Sequence, residues 1–283
     1  MDLRYTFILF VFLFNAFGSY AQSNTALSIL NSMLTACDNV KTVTYKLKQE
    51  ERFNGKMIYG EQDVKLLVSP FKVYMYTHAP NKGAEVLWVE GQNDGDALVS
   101  PNTFPYINLN LDPYGSILRK NQHHALFSSG FGMLTNIIRH GMKKAGDDFD
   151  KYFVYDGDIE WDGYSCYKIN IEYDQYAIEN YTVKNGQTLV EIADELAVCD
   201  YMLIELNEDV DDYDDISEAQ IIKVPNVYAK KNIIYIDKST NLPVMEEMHD
   251  NDGLFERYRL YNIRINPVIK EEEFTEDFSE YGF

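Results

Sequence analysis

The chain has 283 residues, enough for one large domain or two smaller ones, and its 46% apolar share is that of an ordinary globular protein with a real core. A formal net charge of -20 argues against a nucleic-acid partner, whose phosphates need Lys and Arg clusters, and against adhesion to anionic lipid surfaces. Aromatic residues make up 14% of the chain, with 22 Tyr and 16 Phe, which leans the expectation towards strands.

At the N-terminus, Phe7 to Phe14 is an unbroken apolar run too short for a membrane span, and Ser19 and Ala21 supply small residues around a cleavage position. Residues 1–21 are therefore expected to be a secretory signal peptide, and the mature chain to start at Gln22 and work in the periplasm or cell envelope. Ser23 to Asp38 reads as an amphipathic helix, with Leu27, Leu30, Leu34 and Cys37 at helical spacing. The period then changes to two. Val43, Tyr45 and Leu47 alternate with polar residues up to Asn54-Gly55, a strong hairpin signal. Further strands are expected over 63–68, 71–77, 86–89 and 97–99, separated by Pro70, Asn81-Lys82-Gly83 and Gly91-Gln92-Asn93-Asp94-Gly95.

His123 to Arg139 is expected to be helical, with the adjacent His123 and His124 pointing in different directions on its surface. Strands return over 152–155, 164–173, 233–237, 243–248 and 255–265, before an acidic tail that still carries Phe274, Phe278 and Phe283. Removing the stretch from Asp174 to Lys231 joins two of these strands into a hairpin, which places an insertion there. The expected organisation is thus a discontinuous β-rich domain, 22–174 and 232–283, with a small guest module at 180–225.

The guest segment has its own logic. Tyr181–Lys184 is a short strand, Gly186 permits a tight turn, and Thr188 stands three residues before Glu191 as in a capping box. Leu189, Ile192, Ala193 and Leu196 make one helical face, Asp200 can cap a second helix with Leu203, Ile204 and Leu206, and Ile221–Val224 closes as a strand. From Tyr181-Thr182-Val183-Lys184-Asn185-Gly186-Gln187-Thr188-Leu189 to Ile221-Ile222-Lys223-Val224-Pro225 the segment resembles the LysM family along its whole length. That resemblance implies a βααβ fold and recognition of N-acetylglucosamine-containing glycans, meaning peptidoglycan or chitin-type chains. The site it implies lies between Gly186, Gln187, Thr188 and Leu189 on one side and Asp215, Ile216 and Ser217 on the other. Backbone groups would hold the N-acetyl amide, and Leu189 or Ile216 would cover its methyl. Ala219 stands where that family has a glycine, at a position expected to need positive φ, and the stretch from Asp209 to Asp215 is unusually acidic.

Around the guest, Gln49-Glu50-Glu51-Arg52-Phe53, Ser69-Pro70-Phe71-Lys72-Val73-Tyr74 and Ile236-Asp237-Lys238-Ser239-Thr240-Asn241-Leu242-Pro243 resemble exported LolA/LolB-like proteins. The fold class implied is α+β, a curved antiparallel half-barrel wrapped around helices. Its concave face is expected either to take lipid or lipoprotein acyl chains or to be plugged by the chain's own helix.

No catalytic set emerges. His78, His123, His124, His140 and His249 fit no zinc-binding pattern, and Ser128-Ser129-Gly130 lacks the nucleophile-elbow form. Cys37, Cys166 and Cys199 allow one disulfide with one thiol left over, or serve as small buried hydrophobes. The expectation is a non-catalytic envelope protein with no metal and no cofactor. The alternatives are a peptidoglycan-acting enzyme targeted by the module, or an assembly subunit positioned by it.

Overall fold

The computed structural model describes residues 25–283; the expected signal peptide lies outside the described residues. Eleven strands form one sheet in the order β6-β5-β4-β3-β2-β1-β13-β12-β11-β8-β7. The first arm is β1 (Thr42–Phe53), β2 (Lys56–Leu67), β3 (Lys72–Ala79), β4 (Glu85–Val89), β5 (Ala97–Ser100) and β6 (Leu109–Leu111). The second arm is β7 (Phe153–Trp161), β8 (Tyr164–Glu172), β11 (Lys231–Asp237), β12 (Pro243–Asp250) and β13 (Gly253–Ile265), which meets β1. Every neighbouring pair is antiparallel.

Local chemistry explains the turns. Asn54 and Gly55 both take positive φ, 48° and 75°, the hairpin geometry whose twist matches the flanking strands, and Phe53 pairs with Lys56 across it. The β11–β12 turn is built by Asp237. Its carboxylate accepts from Ser239 Oγ at 2.6 Å, Thr240 Oγ1 at 2.7 Å and Thr240 N at 3.1 Å, while Asn241 takes φ 57°. Burial pushes the Asp237 carboxyl up, but these hydrogen bonds overcome it and leave the group below the ordinary Asp value. Asp237→Ala is expected to cost about 1.5–3 kcal/mol in urea unfolding, because the hydrogen bonds that the exposed Ser239 and Thr240 make to a charged group are lost.

One face of the sheet carries the core. Helix α1 (residues 25–38) lays Ala26, Ile29, Leu30, Met33, Leu34 and Cys37 against it, α2 (Gly132–Ala145) adds Leu134, Ile137 and Ile138, and the short α3 (Phe149–Tyr152) adds Tyr152. Leu27, expected on the apolar face, is on the solvent side. From the strands come Val43, Tyr45, Val64, Leu66, Val73, Ile169, Ile234, Met248 and Phe255. The opposite face is covered at one end by the C-terminal tail. Tyr281 stacks on Tyr74 at 3.7 Å between ring centroids, Phe274 is buried beside Leu87 and Val89, and Glu273 pairs with Lys65 at 2.6 Å. The tail is acidic because it answers lysines on that outer face.

The sheet ladder is interrupted between Glu172 and Lys231, which pair directly with each other. The residues between them make β9 (Ile178–Thr182), α4 (Leu189–Leu196), α5 (Asp200–Leu206) and β10 (Ile221–Pro225), and β9 and β10 form a separate two-stranded antiparallel sheet. This insert has a core of its own, built from Val183, Leu189, Ile192, Leu203, Val210, Tyr213, Ile222 and Val224. It is nevertheless not detached. Met202 and Cys199 belong to the host's core, so α5 faces two hydrophobic clusters at once.

Two sequence expectations fail in the segment between the arms. His123 and His124 lie in an irregular segment, followed by a 3-10 turn at Leu126–Ser128, and the helix starts only at Gly132. Gly130 at φ 85° breaks the helical path that the apolar spacing suggested. All three cysteines are free thiols and buried.

Candidate functional site

The insert's outer end carries the loops singled out from sequence. Thr188 caps α4 in a full capping box, its hydroxyl accepting from Glu191 N at 3.2 Å and its own N–H donating to Glu191 Oε2 at 2.9 Å. Leu189 N donates to Tyr213 O at 2.8 Å, which fastens this loop to the acidic segment, and Asn185 Nδ2 reaches Glu218 Oε2 at 2.8 Å from one loop to the other. The two loops are therefore neighbours.

Not every candidate faces outward. Leu189 is 0% exposed, packed in the insert's core, so only its backbone is at the surface loop and the apolar cover for an acetyl methyl falls to the half-buried Ile216. Gln187 turns inward. Its Oε1 accepts from Lys184 N at 2.9 Å and Tyr181 Oη at 3.0 Å, and its Nε2 donates to Glu195 at 2.9 Å, so it shapes the loop from behind. Asp215 accepts from Asp211 N at 3.3 Å and Ser217 N donates to Gln220 Oε1 at 2.9 Å, which hold the opposite loop. Gly186 is exposed at φ 75° with open space where a side chain would stand. Ala219 takes φ 65°, the left-handed conformation anticipated for that position. Ala219→Gly is expected to raise stability by about 1 kcal/mol, read as a higher midpoint of thermal unfolding.

A second constellation was not visible in the sequence. At the junction of insert and host, Glu256 on β13 is 0% exposed and surrounded by His123, His124, Tyr228 and Tyr258. His123 Nδ1 stands 2.8 Å and His124 Nε2 3.2 Å from Glu256 Oε2. His123 Nε2 donates to the carbonyl of Arg52 at 2.9 Å, Tyr258 donates to Glu51 at 2.6 Å, and Glu51 in turn accepts from His123 N at 3.2 Å. Burial favours the neutral acid at Glu256, but His124 and His123 outweigh it and hold this carboxyl well below the usual carboxylate range. Burial would likewise discharge His124, yet Glu256 keeps it above the ordinary histidine value. These histidines were expected at the surface. Glu256 instead draws them inward, because a buried carboxylate demands positive or donating partners.

The insert supplies the other wall. Asp200 is not the cap of α5, since Cys199 holds that position; its carboxylate forms a two-point ion pair with Arg119, both contacts 2.9 Å. Arg119 also donates to His123 O at 2.6 Å and lies 4.2 Å over the Tyr213 ring. Tyr201 stacks on His123 at 4.8 Å, and Cys199 is fully buried beside them. Nitrogen, sulfur and oxygen donors thereby converge. His123, Cys199 and Glu256 bring one such atom each within 4.8 Å of one another, and so do His124, Cys199 and Asp200.

Between α2, Phe153, Ile171, Tyr173 and Val227 lies a cavity of only about 10 Å³, room for one water and not for an acyl chain. No helix among the described residues is long and apolar enough to cross a membrane.

A family model described as "Protein of unknown function (DUF1571)" matches residues 40–201. A search of the curated proteins gives no match. Among solved structures, the chain is similar to the lipoprotein LppX of Mycobacterium tuberculosis, with 12% identity and a TM-score of 0.42 over 87% of this chain and 98% of that one. It is similar to a LolA superfamily protein of Nitrosomonas europaea at 11% identity and a TM-score of 0.33, covering 89% and 98% of the two chains. It is also similar to the MucA/MucB complex of Pseudomonas aeruginosa at 11% identity and a TM-score of 0.43, covering 89% of this chain and 60% of that one. All three likenesses are distant, and none of them speaks to the insert.

Proposed function

The chain belongs to the DUF1571 family, a family of unknown function, and from that premise we propose that it is a non-catalytic, exported cell-envelope protein held on peptidoglycan by its inserted module. In this reading the insert is a LysM module, and the N-acetylglucosamine units of the glycan lie between the loops of Gly186, Gln187, Thr188 and Leu189 and of Asp215, Ile216 and Ser217. The observation that supports it most is the juxtaposition of those loops at the exposed end of a βααβ unit, tied by the Leu189–Tyr213 and Asn185–Glu218 hydrogen bonds.

The groove is shallow, so each hydrogen bond made to sugar replaces one to water and contributes about 0.5–1.5 kcal/mol. A single module then binds short oligosaccharides in the micromolar to millimolar range. Co-sedimentation of the mature chain with purified sacculi tests the reading. Wild type is expected in the pellet and Gly186→Val in the supernatant, because a β-branched residue at φ 75° rearranges the loop. Equal recovery of a folded Gly186→Val protein in the pellet would place binding elsewhere.

A second reading concerns the host. The core face of the sheet is aliphatic, and Val43, Val64, Leu66 and Val73 share one hydrophobic cluster with Leu30, Met33 and Leu34 of α1. Carriage of a lipid or lipoprotein acyl chain requires α1 to leave that face. Mass spectrometry of lipid extracted from envelope-purified protein tests it. Stoichiometric acyl lipid supports carriage, and its absence leaves the host as a scaffold.

A further inference from the structure

We propose that His123, Cys199 and Glu256 form a three-ligand binding site for a transition metal, zinc by its donor chemistry, and that the metal staples the insert to the host sheet.

The geometry begins with the His123 tautomer. Its Nε2 lies 2.9 Å from the backbone oxygen of Arg52, an atom that can only accept, so Nε2 carries a hydrogen. In the neutral ring Nδ1 then presents a lone pair, and it faces the carboxylate oxygen of Glu256 at 2.8 Å. Two acceptors at that distance need a cation between them. A proton can fill that role, and so can a metal ion. An imidazole whose far nitrogen is fixed by a carbonyl, with the near nitrogen aimed at an anionic oxygen, has the arrangement that orients metal-bound histidines. Glu256 is itself braced by the Tyr228 hydroxyl, the outer support that ligating carboxylates receive.

Cys199 adds the sulfur. It is within 4.8 Å of the other two donor atoms, fully buried, and free of any disulfide. The competing set around Cys199, with His124 and Asp200, is weaker. Both oxygens of Asp200 are already taken by Arg119, and Oδ1 also accepts from Tyr201 N at 2.8 Å. Glu256 has no such cationic side chain fixed to both its oxygens.

A set of one thiolate, one imidazole and one carboxylate suits zinc and its cobalt substitute; calcium and magnesium call for oxygen ligands. Metal–ligand bonds of about 2.0–2.3 Å put neighbouring ligands about 3.4 Å apart, so the His123–Glu256 pair opens by roughly half an ångström when the metal enters. The three ligands come from the irregular segment before α2, from the residue that caps α5, and from β13. A metal there cross-links insert and host through their common wall, independently of whether the outer loops bind glycan.

The test uses the mature chain, stripped with a chelator and titrated with Zn²⁺ alone and Co²⁺ alone. One equivalent of each is expected to bind. The cobalt form should show a thiolate-to-metal charge-transfer band in the near ultraviolet and the strong visible bands of a tetrahedral site. Cys199→Ala should weaken binding by about a hundredfold or more, since even outer-sphere losses reach that scale, whereas Cys37→Ala and Cys166→Ala should leave it unchanged. The cobalt spectrum of the wild-type chain decides the matter even if a variant fails to fold. Wild type that binds no equivalent of either ion, or cobalt bound without thiolate charge transfer, would overturn the proposal.

Discussion

Arg119→Ala is expected to destabilise the chain by about 3–5 kcal/mol, among the largest effects of any single substitution. The Arg119 side chain is 2% exposed and that of Asp200 11%, so the pair lies out of water, and removing one partner strands the other charge there. The same change removes a donor from His123 O and the cation over Tyr213. The loss should appear in guanidinium unfolding followed by the fluorescence of Trp88 and Trp161. It should be joined by faster proteolysis of 207–220, because the pair is one of the contacts that hold α5 on the host. Replacing Arg119 by Met and Asp200 by Leu together should recover most of the loss, since a packed apolar pair has no charge to desolvate. A single-variant cost under about 1 kcal/mol would mean that the pair behaves like a surface ion pair.

The second large effect depends on pH. Burial, helped by the charge of Glu256, pushes Glu246 on β12 from 4.5 up to about 8. Its charge would also act on Cys37 and Tyr45, which lie in the same core. Between those two values the folded chain keeps a proton that the unfolded chain has released, so stability falls as pH rises through this window. Below 4.5 both states are protonated and the effect vanishes; above 8 it is complete. At about 1.4 kcal/mol per pH unit the upper bound is about 4–5 kcal/mol. Glu246→Gln should therefore match wild type near pH 4 and exceed it progressively towards pH 8, in thermal unfolding at matched ionic strength. His124 and Glu256 contribute their own pH dependence to both proteins, which is why the difference between the two curves is the quantity to read. Parallel curves across that range would show that Glu246 ionises normally.

Much of the architecture was legible because it rests on local chemistry. Asn54-Gly55 dictates its hairpin, and Thr188 and Glu191 dictate the start of α4, whereas the positive φ of Ala219 was implied only by the LysM resemblance, which has a glycine there. The interrupted pairing of Glu172 with Lys231 followed from strand patterns on either side of the insert. The junction cluster was not legible, because its members meet only in three dimensions. His123 and Glu256 are 133 positions apart, and two adjacent histidines carry no periodicity that would turn them inward. One signal was available. The alternation that buries Val43 and Tyr45 continues to Gln49 and Glu51, putting two polar side chains on the core face of β1. Polar residues on a core face imply partners, and following that implication would have led to His123 and Tyr258. Leu189 shows the opposite limit. A residue's place in a family groove does not settle whether its side chain or only its backbone faces the ligand.

The most direct test of glycan anchoring is an NMR titration of the intact mature chain, since α5 shares the host's core and the insert is not tested alone. Chitin oligomers and muropeptides should shift the resonances of Gly186–Leu189 and Asp215–Ser217, with weak, saturable affinity in the micromolar to millimolar range and little dependence on salt for the uncharged chitin oligomers. Muropeptides with acidic stems should bind more weakly at low salt, because Asp211, Asp212, Asp214 and Asp215 crowd the groove's edge. A folded chain whose two loops show no shift at millimolar oligomer would contradict the assignment of the insert as a glycan anchor.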